Sequence, residues 1–246
     1  MIKKRVIILL LTYALALSGT AQSPLYRLSA QREIPMLAAP IGYLVGEHFL
    51  QKKYLQPLSA AQIQSLDPNT INVFDRSATR YHSSGVNKAS DILFWTATML
   101  PASLLFSNRI KDEKLYDEIG TMWAETFLIN AALTGLTKSL AHRTRPYAYN
   151  PNVAAAEKMK RDTRLSFFSG HTSSAAATSI FTAQIFADLY PNSRWKPLVW
   201  TGAAVLPLAT GLMRYRAGKH FPTDILVGAI VGTGIGLLVP ALHRRH

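Results

Sequence analysis

Two histidines of the sequence stand beside residues that could make them reactive. His171 follows the pair Ser169–Gly170 and precedes a run of small residues typical of a helix. The free N–H groups at the start of a helix bind anions, Gly170 permits a close backbone approach, and Ser169 can add a hydroxyl donor. This pattern places His171 at the mouth of an anion site, whereas a lone histidine in such a run is more often a core residue.

The second histidine, His220, stands just before a predicted helix. Pro222 fits the first position of that helix, so Asp224 falls in its first turn. From there Asp224 can reach back and accept a hydrogen bond from the imidazole of His220. Such a bond would fix the tautomer and leave the other ring nitrogen free as a nucleophile.

Basic residues accompany both histidines. Lys138 and Arg145 are seven positions apart, which puts them on one face of a continuing helix. Pro146 disfavours helical geometry at Arg145, so this helix is predicted to end there. Arg214 precedes His220 in the third segment. The three segments therefore combine the residue types that bind phosphate.

Together these segments resemble the type 2 phosphatidic acid phosphatase superfamily, which also includes bacterial class A acid phosphatases and vanadium haloperoxidases. The family pattern is K-x6-RP, then PSGH, then SR-x5-H-x3-D. The chain matches the first segment in full, carries Phe168 where the second has Pro, and carries Met213 where the third has Ser. The resemblance spans residues 138–224, and both departures leave the charged and histidine positions intact.

The resemblance implies a role for each matched residue. His220 is expected to attack phosphorus and form a phosphohistidine, Asp224 to orient His220, and His171 to protonate the leaving alkoxide and later help to activate water. The phosphate-binding residues that it implies are Lys138, Arg145, Ser169, Gly170 and Arg214. Because fixed cations and amides can neutralise the charge of phosphoryl transfer, neither a metal ion nor another cofactor is expected.

The composition sets limits on the partners. The 246 residues carry a formal charge of +13, with 48% hydrophobic and 17% charged residues and no cysteine. The absence of cysteine excludes disulfides, thiolate nucleophiles and Cys-based metal sites. A basic balance indicates an anionic partner. No nucleic-acid-binding motif is present, so a phosphorylated membrane lipid and the bacterial membrane itself are the expected partners.

The N-terminus has a secretory pattern. Basic residues at 3–5 precede an apolar stretch from Val6 to Leu17, and small residues at Gly19 and Ala21 fit a cut before Gln22. Residues 1–21 are therefore interpreted as a signal peptide or a first membrane helix. No linker divides the rest, so residues 22–246 are predicted to form a single domain with its motif core at 138–224.

The fold is predicted to be an all-α, membrane-embedded bundle of about six helices, because long uncharged stretches rich in Ala, Leu, Gly and Thr recur along the chain. Gly228, Gly232 and Gly236 recur every four residues and give one helix a smooth face for close packing. The motifs fall at helix ends that an up-down bundle brings to one side, which puts the active site at one end. The predicted helices that carry these motifs cover about 119–141, 171–189, 197–213 and 222–242.

Helix parity predicts the side of the membrane. If residues 6–21 cross outward, the polar segment 51–90 lies outside the cytoplasm, and the next helix, 92–108, crosses inward. The count requires that 35–50 not span the bilayer, and its shortness and the Glu47–His48 pair predict an interfacial or packed helix there. It places all three motifs in the periplasm of a multi-pass protein of the bacterial inner membrane.

The predicted function is a metal-independent phosphatase acting on phosphate or diphosphate monoesters of membrane lipids. Undecaprenyl diphosphate, phosphatidylglycerophosphate, phosphatidic acid and lipid A are the candidate substrates. The alternatives are a soluble periplasmic acid phosphatase, a vanadate-dependent haloperoxidase, and a non-catalytic phospholipid-binding membrane protein. The His220–Asp224 pair argues against the last, because binding alone does not need it.

Overall fold

The computed structural model describes residues 25–110 and 112–245, so the predicted signal segment 1–21 lies outside the described residues. The described residues form helices and no named strand, which confirms the all-α prediction. Six helices are long, in agreement with the predicted number: α1 (Ala30–Tyr54), α4 (Ser84–Met99), α5 (Glu113–Ala141), α7 (Gly170–Leu189), α8 (Lys196–Arg216) and α9 (Pro222–His243). Three are short: α2 (Ala60–Gln64), α3 (Val73–Arg76) and α6 (Ala155–Lys158). The 3-10 segments are Pro68–Thr70, Ser77–Arg80, Leu100–Phe106, Pro146–Tyr149 and Arg161–Arg164.

Helix α4 begins earlier than the sequence predicted. The uncharged stretch starts at residue 92, but the helix starts at Ser84, where the hydroxyl of Ser83 accepts a hydrogen bond from the Val86 amide. The cap lets the helix begin two turns earlier than the uncharged stretch. These two turns carry polar side chains, so the hydrophobic pattern does not predict them. These two turns belong to the bundle and not to the polar segment 51–90.

The centre of the bundle is α7, which is buried along most of its length. Its Ala, Ser and Thr side chains are small, so neighbouring helices approach closely. A Cβ atom on Gly228, Gly232 or Gly236 of α9 would lie 2.7, 2.1 or 2.5 Å from a carbonyl oxygen of α7 or of its cap residue, Ser169. This confirms the predicted smooth face, since only glycine fits at these three positions.

Helix α1 is longer than predicted and runs the whole length of the bundle. Near its start, the Arg27 amide donates to the carbonyl of His243 at the end of α9 (2.9 Å). Near its other end, the Gln51 side chain donates to Ser139 at the end of α5 (3.1 Å). The 25 residues of α1 span about 37 Å. The prediction that the helix at 35–50 is short is therefore wrong.

This length removes the basis of the parity count. Tyr26 pairs with Arg244, so the described chain starts and ends at the same end of the bundle. We call this end, which includes residues 25–29 and 244–245, the distal end; the three motifs lie at the other. If the bundle spans a bilayer, a periplasmic motif end requires residue 25 to be cytoplasmic. If the N-terminal segment exports residue 25, the motif end of the bundle cannot then be periplasmic.

Within the part of the chain that the structure describes, two helical stretches are long and apolar enough to cross a membrane. They are Ser84–Phe106, with mean hydropathy 1.3, and Pro222–His243, with mean hydropathy 2.3. Both occupy the bundle as neighbours of α7, and by themselves they indicate a membrane location only weakly.

Candidate active site

Four helix ends meet where the three motifs lie. The Ser169 amide, which precedes α7, donates to the carbonyl of Asp224 in the first turn of α9 (3.0 Å). The Ser166 amide donates to the carbonyl of Arg143, just after α5 (2.9 Å). The Tyr147 amide donates to the carbonyl of Gly218, just after α8 (2.9 Å). These backbone bonds join the three segments into one cradle at one end of the bundle, as predicted.

His220 lies between α8 and α9 and is buried. Its Nδ1 lies 2.7 Å from the carbonyl oxygen of Ser166, which can only accept, so Nδ1 carries the proton. The nearest carboxylate oxygen of Asp224 is 3.7 Å from Nδ1, too far for a hydrogen bond. The predicted direct hydrogen bond from His220 to Asp224 is therefore wrong. The predicted consequence remains, because Nε2 is left with a free lone pair.

Asp224 acts on this arrangement through Ser166. Its Oδ2 accepts from the Ser166 hydroxyl (2.6 Å) and from the Phe221 amide (3.0 Å). Its Oδ1 accepts from the guanidinium of Arg143. Asp224 thus fixes Ser166, and the carbonyl of Ser166 in turn holds His220. The carboxylate therefore acts on the imidazole through an intervening residue and not by the direct contact that the sequence predicted.

Arg143 and Asp75 complete this support, and the sequence analysis identified neither. Arg143 donates to Asp75 (2.8 Å) and lies 4.2 Å above the ring of Phe221. Asp75 also accepts from the amide (3.0 Å) and the hydroxyl (2.7 Å) of Thr223. Burial raises the pKa of Asp75, but hydrogen bonds from Asn72, Arg143 and Thr223 outweigh burial and lower it below its usual value. Asp75 therefore stays ionised and ties α3 to the start of α9.

His171, in the first turn of α7, pairs with a carboxylate that the sequence analysis also missed. Its Nε2 lies 2.8 Å from Oδ1 of Asp91 on α4, and its ring packs against Phe94 with 4.7 Å between centroids. Asn87, Ser90 and Asp91 share one helix face at spacings of three and four. That spacing is a signal in the sequence, but it becomes visible only when α4 is started at Ser84.

The same face of α4 holds Arg214 of α8. The guanidinium of Arg214 donates to Asn87 (2.8 Å) and Ser90 (3.1 Å) and lies 3.5 Å from Asp91. Arg214 is buried, and its Nε has no hydrogen-bond partner. A buried cation with an unused donor is suited to an incoming anion.

Arg145 and Lys138 are the other two predicted cations of the cradle. Arg145 is held by the carbonyl of Asp162 (2.8 Å) and lies 3.6 Å from its carboxylate. The Nζ of Lys138 lies 3.6 Å from the position that a Cβ on Gly170 would take. The ammonium group of Lys138 therefore lies beside the start of α7.

Ser169 serves as the cap of α7. Its Oγ accepts from the Thr172 amide (3.4 Å) and shares a hydrogen bond with the Thr172 hydroxyl (2.9 Å). Capping by Ser169 starts the helix at Gly170, and the first-turn N–H groups of α7 point toward the cradle, where an anion can bind. The contact of Ser169 with phosphate stays a prediction.

The electrostatics of the cradle converge on His220. Burial, followed by the charges of Arg145, Arg214, Lys138 and His171, lowers the pKa of His220 well below its usual value. His220 is therefore neutral near pH 7, which is the form that a nucleophile requires. The structure thus brings the two predicted histidines, Asp224 and the three predicted cations together at one end of the bundle.

Comparison with known proteins gives a consistent picture. The sequence model of the PAP2 superfamily matches residues 120–246 of the chain. Phospholipid phosphatase 1 of Rattus norvegicus is 34% identical over 87 residues, and that of Mus musculus is 32% identical over 87 residues. These segments cover 34% of this chain and 30% of each relative, so the chain spans less than a third of the curated relatives that it matches.

A solved structure shares the fold. The crystal structure of the first transmembrane PAP2 type phosphatidylglycerolphosphate phosphatase from Bacillus subtilis aligns with a TM-score of 0.51 and 21% sequence identity. The alignment covers 82% of this chain and 94% of that one. It therefore extends beyond the motif core and includes most of the bundle.

Proposed function

The chain belongs to the PAP2 superfamily, and on this premise we propose that it is a phosphatase that hydrolyses phosphate or diphosphate monoesters of membrane lipids. The reaction proceeds through a phosphohistidine on His220. The observation that carries the proposal is the state of this residue: its Nδ1 donates a hydrogen bond to the carbonyl of Ser166 (2.7 Å), and burial together with the surrounding cations lowers the pKa of the ring, which is therefore neutral.

In the first step, Nε2 of His220 attacks phosphorus and forms a P–N bond while the bond from phosphorus to the leaving oxygen breaks. Negative charge spreads over three equatorial oxygens, and Lys138, Arg145 and Arg214 neutralise it. His171 donates a proton to the departing alkoxide, which is otherwise a poor leaving group.

In the second step, water attacks the phosphohistidine. His171, now deprotonated, accepts a proton from this water, the P–N bond breaks and phosphate leaves. Asp91, at 2.8 Å from Nε2 of His171, positions the ring and stabilises its protonated form. No group other than the residues of the cradle and water is needed to balance either step.

A lipid substrate agrees with the surface of the bundle. Large apolar side chains that point outward form stripes on two long helices, namely Leu198, Val205, Leu208 and Leu212 on α8 and Leu226, Ile230, Leu237 and Leu238 on α9. Exposed apolar surface of this extent favours a lipid environment over water. Candidate substrates are phosphatidic acid, phosphatidylglycerophosphate, undecaprenyl diphosphate and lipid A.

The experiment is phosphate release by the purified full-length protein from these four lipids and from p-nitrophenyl phosphate, with His220→Ala as the control. We expect release from at least one lipid that is lost in the variant. Preference for small phosphates would indicate the acid phosphatase alternative. Absence of release from every substrate would contradict the proposal and favour a phospholipid-binding protein.

Metal independence is a second part of the proposal. Initial rates should be the same in excess EDTA as in added Mg²⁺, because three side-chain cations neutralise the phosphate. Orthovanadate should inhibit, since its trigonal bipyramidal adduct on His220 mimics the transition state. Loss of the initial rate in EDTA that Mg²⁺ restores would contradict this part, and vanadate-dependent halide oxidation would indicate a haloperoxidase.

We also place the protein in the bacterial inner membrane with its cradle in the periplasm, which requires residue 25 to be cytoplasmic. A reporter at the C-terminus should then be cytoplasmic, and one inserted in the 150–162 segment should be periplasmic. The reverse result would contradict this orientation. Periplasmic signals from both positions would support the soluble periplasmic alternative and cleavage before Gln22.

A further inference from the structure

A second cluster of ionisable groups lies at the distal end of the bundle, far from the cradle. It consists of Glu33 of α1, Glu125 of α5 and His243 of α9, and we call it the distal cluster. All three side chains are buried. Nε2 of His243 lies 3.1 Å from Glu125 and 3.5 Å from Glu33. One ligand atom from each residue lies within 4.8 Å of the other two.

The imidazole of His243 directs a lone pair into this cluster. Its Nδ1 donates to the carbonyl of Val239 (2.7 Å), one turn earlier in α9. Nε2 is then the acceptor nitrogen of the neutral ring, and it has no hydrogen-bond partner. A backbone acceptor on the second nitrogen is the usual way in which proteins orient a metal-binding histidine.

Glu125 is also without a hydrogen-bond partner. Both of its carboxylate oxygens are buried and make no hydrogen bond, and among the described residues no lysine or arginine forms an ion pair with it. Glu33 differs, because Arg32 (2.8 Å) and the Ser29 amide (2.8 Å) hold it. Glu125 and His243 thus present three acceptor atoms to a buried space, and bare acceptors there are costly unless a cation or a proton is shared among them.

We propose that the distal cluster binds a divalent transition-metal ion of the Zn²⁺ class. One imidazole nitrogen and two carboxylates form a donor set that suits such ions. Zinc binds these atoms at about 2.0–2.2 Å, so two tetrahedral ligands lie about 3.4 Å apart. The separations of 3.1 and 3.5 Å at His243 agree with that geometry.

The ion has a structural role. It joins the start of α1 to the middle of α5 and to the last residue of α9, and so fixes both ends of the described chain to the bundle core. The cluster is at the opposite end from His220, and the proposal does not depend on the proposed phosphatase activity. A chelator should therefore lower the thermal midpoint while the initial rate of the folded protein stays unchanged.

The first experiment is the metal content of the full-length protein, purified with a tag that lacks histidine and dialysed against Zn²⁺ and then against metal-free buffer. We expect about one ion per chain in the wild type and at least a tenfold weaker affinity in Glu125→Gln and His243→Gln. Asp117→Asn, which changes an exposed carboxylate on the same helix α5, is the matched control and should retain the ion. Wild type that retains no ion, or variants that bind it like wild type, would overturn the proposal.

Thermal unfolding distinguishes a metal site from a buried carboxylate without a metal, because the two predict opposite changes of the thermal midpoint in Glu125→Gln. If Zn²⁺ is bound, EDTA lowers the midpoint of the wild type, added Zn²⁺ restores it, and Glu125→Gln lowers it. If the site is merely a buried unpaired carboxylate, Glu125→Gln raises the midpoint, because it removes an unsatisfied charge. If a protonated His243 bridges the two carboxylates instead, Glu125→Gln lowers the midpoint, but EDTA and Zn²⁺ have no effect on the wild type. Either of the last two results would overturn the proposal, and the EDTA comparison needs no variant that folds.

Discussion

The carbonyl oxygen of Ser166 lies 2.7 Å from Nδ1 of His220 and accepts a hydrogen bond from it. A backbone carbonyl cannot take up a proton near pH 7, so this bond keeps the ring in one tautomer throughout the proposed reaction. Asp224 stabilises Ser166 through its hydroxyl, and Arg143 stabilises Asp224. The imidazole is therefore positioned by a chain of contacts that a sequence motif of histidine and aspartate does not reveal.

Arg143→Gln should reduce kcat by about 10²-fold and change KM little. Arg143 contacts Asp224, Asp75 and Thr223 and is expected to act by positioning His220, for which a displacement of about 1 Å can cost 10²-fold. Steady-state kinetics on a lipid phosphate measures both constants. Arg161→Gln, at an exposed arginine, is the control and should behave like wild type. A raised KM with unchanged kcat would mean that Arg143 binds the phosphate directly.

The two histidines should respond differently to the leaving group. His220→Ala should abolish turnover of every phosphate ester, because no phosphohistidine can form. His171→Ala should lose most of the general-acid contribution, typically about 10² to 10⁴ in rate, on an alkyl lipid phosphate. It should lose distinctly less on p-nitrophenyl phosphate, since a stable phenolate leaves without a proton.

This comparison requires burst or single-turnover rates, because hydrolysis of the phosphohistidine is common to both substrates. Equal losses by His171→Ala on both substrates would show that His171 is not the leaving-group acid. A burst that survives in His220→Ala but not in His171→Ala would show that the two roles are reversed.

Gly232→Ala should destabilise the bundle, whereas Gly234→Ala should not. A Cβ at Gly232 would lie 2.1 Å from the carbonyl oxygen of Ser173, and one at Gly234 meets nothing within 4 Å. Overpacking of this kind typically costs about 1–3 kcal/mol. At Gly234, alanine should stabilise the helix by about 0.5–1 kcal/mol. The readout is the thermal midpoint of the two variants under identical conditions, and similar midpoints would contradict the close contact between α7 and α9.

The stability of the protein should decrease as the pH is lowered below about 6.5, and His220 should contribute to the decrease. Burial and the nearby cations lower the pKa of His220 in the folded state, whereas the unfolded chain has an ordinary pKa of about 6.5. Between these two values the unfolded state binds more protons, so the contribution of His220 is fully present above pH 6.5 and is lost as the pH falls. Thermal midpoints from pH 8 to pH 5 should therefore fall less steeply in His220→Asn than in wild type. Parallel curves would mean that His220 is not buried as a neutral ring.

The sequence by itself predicted the candidate site residues and the helices that carry them. The types and spacings of Lys138, Arg145, His171, Arg214 and His220 marked them as candidates, and the structure brings them to one end of the bundle, while their roles in phosphate chemistry stay predictions. Proline and glycine marked the helix ends. The glycines at 228, 232 and 236 likewise predicted a smooth helix face, since a four-residue period always returns to one side of a helix.

Only the tertiary structure decided how these residues are held. Asp91 and Asn87 reach the cradle because a serine cap extends α4 into a segment that looks polar, and polarity does not indicate which face of a helix turns inward. Asp75 and Arg143 meet across 68 positions of sequence, and the carbonyl of Ser166 carries no side-chain signal. The length of α1 was equally hidden, because contacts with α5 and α9 at both of its ends stabilise a helix whose outer turns are charged. Such contacts depend on the folded arrangement of distant segments, which local patterns do not encode.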